Sequence, residues 1–143
     1  MRLERINSVV RDVIERQSLL VIDDDKDWTD LLELYFFEKY EVQVANSSCD
    51  ALDLIRVQRP GVIIVDLVMP KIDGFGIIHR LKDSTENRIP TILLTGWNTL
   101  EVEECAASVG CDAVLSKPIE LNALDEVVSL LMSRRHATSN TVM

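Results

Sequence analysis

Short apolar runs rich in strand-forming residues recur along the chain at Leu19–Ile22, Val42–Ala45, Val62–Val65, Ile89–Leu94 and Ala113–Leu115. The stretches between them carry apolar residues at helical spacing. Trp28, Leu31, Leu32, Tyr35 and Phe36 share one predicted helix face. Ala51, Leu52 and Ile55, with Val57 nearby, mark a second, and Ile77, Ile78 and Leu81 a third. Val102, Cys105, Ala106 and Val109 mark a fourth, and Leu121, Leu124, Val127, Val128 and Leu131 a fifth. Breakers stand where the period changes: Arg59-Pro60-Gly61, Asp73-Gly74, Gly110 and Lys117-Pro118. Five strands alternating with five helices predict a parallel sheet covered on both faces, a doubly wound α/β fold. The first, third and fourth runs are almost wholly apolar, as strands buried on both faces are.

Before the first strand, Leu3, Ile6, Val10 and Val13 form an apolar stripe, with Val9 and Ile14 beside it. The spacing predicts an extra amphipathic helix over residues 1–18, either docked on its own domain or self-associating. The main domain then spans 19–133, and the polar residues 134–143 read as a flexible tail. Such a tail has no room for a DNA-binding or catalytic effector, so the expected output is a protein contact. The initial Met and short tail favour a stand-alone unit over an excised piece of a longer protein.

Composition narrows the class. A chain of 143 residues, 47% hydrophobic and 27% charged, suits one folded domain. No apolar run approaches the roughly 20 residues of a membrane span, and the N-terminus lacks a secretory apolar core. The expected location is cytoplasmic, without membrane contact. Cys49, Cys105 and Cys111 show no metal-ligand spacing and read as reduced thiols, and His79 and His136 have no ligand neighbours. The net charge is −9; residues 1–18 contribute +1 and the tail after Met132 +2, so the body carries −12. That charge repels phosphate backbones and argues against nucleic-acid binding.

The acids are not evenly placed. In an open α/β sheet, ligands gather at the carboxyl ends of the strands. The first run leads straight into Asp23-Asp24-Asp25, and the third straight into Asp66. If those strands are central neighbours, three carboxylates converge, which is costly unless a hard cation neutralises them. Oxygen-only ligands favour Mg²⁺ over Zn²⁺. Asp25 and Asp27 read better as acids at the start of the first helix. The fourth run ends in Thr95-Gly96, and Ser116-Lys117-Pro118 follows the fifth. Acids with a cation, a nucleophilic carboxylate, a hydroxyl donor and a fixed ammonium are the parts needed to accept and hold a phosphoryl group.

The pieces LLVIDDD, VDLVMPKIDGFG, LLTG and LSKPI, in this order and each at a strand end, resemble the receiver domain of two-component response regulators. The resemblance runs from about Leu19 to Met132. It implies a chemotaxis-regulator-like, flavodoxin-type sheet of strand order 2-1-3-4-5. It makes Asp66 the phosphoacceptor, with Asp24 binding Mg²⁺ directly, Asp23 mainly through water, and the Val68 backbone carbonyl as a further ligand. Lys117 would pair with phosphoryl oxygens, and Thr95 would turn to hydrogen-bond one of them. Met69-Pro70 and Asp73-Gly74 match the loop after the acceptor, and the Lys117-Pro118 bond would be cis. The donor would be a histidine kinase or phosphotransfer protein. The protein would be a switch rather than a conventional enzyme, acting on a downstream partner or through self-association.

Three positions depart from that pattern. Val114 stands where the family usually has an aromatic that moves with the switch threonine. Val68 and Trp97 flank the path of a hydrolytic water, and neither can orient it, which predicts a slow loss of the phosphoryl group. Trp97 is large enough to cover the site, or else packs toward the fourth helix. Two rival functions follow. One is a receiver-like interaction module independent of phosphorylation, to which Val114 lends weight. The other is an aspartyl phosphatase, which would want an acid where Val68 stands.

Overall fold

The computed structural model describes residues 16–81 and 88–141. Its five strands are β1 (Ser18–Ile22), β2 (Glu41–Ala45), β3 (Val62–Asp66), β4 (Thr91–Thr95) and β5 (Ala113–Ser116). All pair in parallel, in the expected spatial order β2-β1-β3-β4-β5. The helices described between and after them are α1 (Lys26–Phe36), α2 (Ser48–Val57), α3 (Gly74–Leu81), α4 (Leu100–Val109) and α5 (Leu121–Thr141).

Every residue of β1, β3 and β4 is buried. Successive side chains of a strand point to opposite faces, and here each face meets its own core. Leu20, Ile22, Ile63, Val65 and Leu93 pack with Ala51 and Ile55 of α2, Ile77 and Ile78 of α3, and Ala106 of α4. Leu19, Val21, Ile64, Ile92 and Leu94 pack with Leu32 and Phe36 of α1 and Leu124 and Val128 of α5. Each of the Leu, Ile, Val and Phe side chains among them contributes about 1.5–3 kcal/mol when fully buried. The edge strands β2 and β5 are partly exposed.

Register fixes where the strand ends meet. Ile22 lies opposite Val65, so Asp23 and Asp66 follow side by side at one edge of the sheet. Thr95 lies opposite Ser116, which brings Lys117 to the same edge. Asp25 caps α1, its carboxylate accepting from the N–H groups of Asp27 and Trp28 at 3.1 and 3.3 Å. Gly110 closes α4 in the left-handed region, at φ 84°, where a side chain is disfavoured.

Several expected positions shift. β4 begins at Thr91 rather than Ile89, because Pro90 has no N–H for the ladder. The buried line of α1 is Thr29, Leu32 and Phe36, while Leu31 and Tyr35 are exposed. The α1 face is rotated because Thr29 finds its hydrogen-bond partner locally, in the Lys26 carbonyl at 3.0 Å, and so can be buried. Val57 and Cys105 are also exposed, since each lies off the line that faces the sheet. α5 runs from Leu121 to Thr141, and no Gly or Pro after Leu121 interrupts it. The expected helix over residues 1–18 lies almost wholly outside the described residues.

Candidate functional site

The sheet edge gathers the acids that the sequence singled out. One carboxylate oxygen from each of Asp23, Asp24 and Asp66 lies within 4.8 Å of the other two. Asp23 and Asp66 are buried, while Asp24 is exposed at the rim. Lys117 donates to both buried acids, at 2.9 Å to Asp66 Oδ1 and 3.1 Å to Asp23 Oδ2. Its peptide bond to Pro118 is cis. Lys117 N–H donates to the Thr95 carbonyl at 2.8 Å, fixing the lysine against β4.

Burial pushes the Asp23 carboxyl above its ordinary range. The Asp25 N–H opposes that shift, the Asp66 charge adds to it, and the bond from Lys117 opposes it, with a net rise. Burial also works to lower the Lys117 pKa, but its hydrogen bonds to Asp66 and Asp23 prevail and the shift is upward. The ammonium therefore stays charged at neutral pH. One ammonium beside three carboxylates leaves an excess of negative charge, and all the donor atoms are oxygens. That set fits a hard divalent cation such as Mg²⁺.

The remaining positions sit around this cluster. Thr95 is fully buried, and its Oγ1 accepts from the Trp97 N–H at 2.9 Å, closing a tight turn at the end of β4. The acceptor loop is pinned at Leu67, whose N–H donates to Leu94 O and whose carbonyl accepts from Gly74 N–H, both at 2.9 Å. Val68 follows at the rim and is 60% exposed. Trp97 is 71% exposed, so it neither packs into α4 nor is buried over the acids. Val114 is half-buried against the core that α2, α3 and α4 share. Asp25 serves α1 through its side chain, as its place at the helix start suggested.

One residue that the sequence did not single out also reaches the acid-bearing turn. Asn46 Nδ2 donates to the Asp23 carbonyl at 2.9 Å and to Thr29 Oγ1 at 3.0 Å. The available signal was position: Asn46 directly follows β2, at the same sheet edge as Asp23.

Comparison with known proteins agrees with this geometry. Residues 19–129 match the model of the response regulator receiver domain. The chain belongs to that family. It is 28% identical over 126 residues to response regulator Rre1 of Synechocystis sp., covering 86% of this chain and 54% of that protein. It is 31% identical over 122 residues to response regulator MprA of Mycobacterium sp., covering 85% and 51% respectively. This receiver chain thus spans about half the length of these curated relatives. The receiver domain of Francisella response regulator 1452 is 30% identical, with a TM-score of 0.77 over 82% of this chain and 98% of that one. Receiver domains are signal-transduction modules that interact with histidine kinases or phosphotransfer proteins and bind Mg²⁺ at their acidic cluster. No described helix of this receiver is long and apolar enough to cross a membrane.

Proposed function

We propose that this chain is a cytoplasmic phosphorylation switch in which Asp66 accepts a phosphoryl group from a histidine kinase or phosphotransfer protein. The observation that carries the reading is the Lys117 ammonium, bonded at once to Asp66 Oδ1 and Asp23 Oδ2. A buried carboxylate with its own ammonium is a nucleophile already paired with the cation that will meet the new phosphoryl oxygens. An Asp66 oxygen forms the bond to phosphorus as the bond to the donor's imidazole nitrogen breaks, and the imidazole leaves. Lys117 then follows the charge from the carboxylate to the phosphoryl group. Thr95, buried beside the site, supplies a hydroxyl donor to one phosphoryl oxygen. Mg²⁺, held by Asp23, Asp24, Asp66 and the Val68 carbonyl, would supply the positive charge that lets the acids and the phosphoryl group share one space.

Val114 lacks the ring of the usual coupled switch, so the change passes to the surface through the Thr95–Trp97 turn instead. The output is a protein contact, either a downstream partner or a second copy. The half-buried Val114 also favours a second reading, an interaction module that works without phosphorylation.

Incubation with Mg²⁺ and a small acyl- or amidophosphate, read by intact mass, separates the two. A Mg²⁺-dependent phosphoryl adduct that Asp66→Ala abolishes is the expected result. No adduct with any donor overturns the reading in favour of the second. Elution by size exclusion before and after phosphorylation tells self-association from a separate partner.

A further inference from the structure

We infer that Asn46 is a positioning residue of the acidic site, whose side-chain amide clamps the Asp23–Asp24 peptide and so aims the Asp24 carboxylate. The inference rests on the reading of the cluster as a Mg²⁺ site.

The Asp24 side chain makes no hydrogen bond or ion pair among the described residues, yet one of its oxygens lies in the cluster with Asp23 and Asp66. Its direction is therefore set through the backbone. The carbonyl oxygen of Asp23 and the nitrogen and Cα of Asp24 lie in one peptide plane. Holding that oxygen holds the plane, and with it the base from which Asp24 projects. Asn46 Nδ2 holds it at 2.9 Å.

The clamp is itself anchored. The second Nδ2 proton goes to Thr29 Oγ1 at 3.0 Å, and Thr29 Oγ1 donates onward to the Lys26 carbonyl at 3.0 Å in the first turn of α1. Thr29 is fully buried. Both amide protons are thus committed, one to the acid-bearing turn and one to the helix that follows it. Asp23 is fixed at its other atoms as well. Its N–H donates to Ala45 O at 3.1 Å, and its Oδ1 accepts from Asp25 N–H at 2.9 Å. Of these restraints, only the bond from Asn46 acts on the carbonyl that leads into Asp24.

Calorimetric titration of the full chain with Mg²⁺ tests this, comparing the wild type with Asn46→Ala and Asn46→Asp. Loss of a group that orients a metal ligand is expected to weaken Mg²⁺ binding about tenfold in both variants. Asn46→Asp is the sharper arm, because its added negative charge alone would tighten Mg²⁺ binding. Weakening there reports the lost donors. Adduct formation is expected to recover the wild-type maximal rate at saturating Mg²⁺, with only the half-saturating concentration moved. A merely structural tie would lower the melting temperature and leave Mg²⁺ affinity alone. If Asn46→Ala fails to fold, Thr29→Val removes the anchor only, and several-fold weaker binding is expected. Affinity within about twofold of wild type in Asn46→Ala, or in Thr29→Val if that is the variant measured, overturns the inference. So does tighter binding in Asn46→Asp. A wild type that binds no Mg²⁺ overturns the reading of the site itself, a distinguishable failure.

Discussion

Lys117 Nζ lies 2.9 Å from Asp66 Oδ1, joining the loop after β5 to the end of β3 across the edge of β4. The same nitrogen reaches Asp23 at 3.1 Å. Replacing it leaves two buried carboxylates facing one another. Lys117→Met is expected to slow adduct formation on Asp66 about 100-fold, the usual cost of losing one fixed charge-stabilising donor. Mg²⁺ binding is expected to persist, since the carboxylates remain. Initial rates by intact mass, with a Mg²⁺ titration alongside, check both halves.

Gly74 is required by space. A Cβ there would stand 2.7 Å from the Asp66 carbonyl oxygen and 2.8 Å from Leu93 Cδ1. The carbonyl is backbone of the acceptor residue itself, so the strain cannot be relieved without moving it. Gly74→Ala is expected to cost about 1–3 kcal/mol in denaturant unfolding and to slow phosphorylation as well. A variant as stable and as reactive as wild type would contradict the packing.

Val68 and Trp97 bear on how long the signal lasts. Both are mostly in solvent, so neither seals the acceptor. What they withhold is a polar group able to orient an attacking water. The phosphoryl group on Asp66 is therefore expected to be lost slowly. Val68→Asn is expected to speed that loss on the order of tenfold. Decay of the adduct mass after donor removal measures it, and an unchanged half-life would count against the explanation.

The thiols divide by burial. Cys111 is partly buried and donates to Ala113 O at 3.1 Å, and burial pushes its pKa above the ordinary thiol value. A raised pKa means less thiolate at any given pH. Cys49 and Cys105 are exposed. Alkylation of the native protein at pH 8 is expected to show two fast additions and one slow one. Raising the pH should speed the slow addition without its overtaking the others. Three equal rates in an intact-mass time course would argue against this packing.

The strands at the centre were legible because burial on both faces leaves one kind of residue to read. Val62–Val65 needed no correction at its start, and its terminal Asp66 stood out against an apolar run. Lys117 and Thr95 were legible from their places at strand ends. The helix faces were read less well. In α1 a threonine lies at the buried line while Leu31 faces water, because Thr29 satisfies its hydroxyl locally and hydropathy alone does not register that. Asn46 was missed for a related reason. Its importance lies in which carbonyl it reaches, a relation between β2 and the turn after β1 that appears only once the two strands are paired.

Trp97 places an indole on the turn that Thr95 closes at the end of β4. Its N–H is bonded to Thr95 Oγ1 while its side chain stands largely in water. Indole emission follows the polarity around the ring, so any change in the threonine that tightens or opens this turn changes colour or brightness at residue 97. The chain's other tryptophan, Trp28, is packed partly against the α1–α5 core. If phosphorylation moves Thr95, the emission of the unlabelled protein is expected to report it.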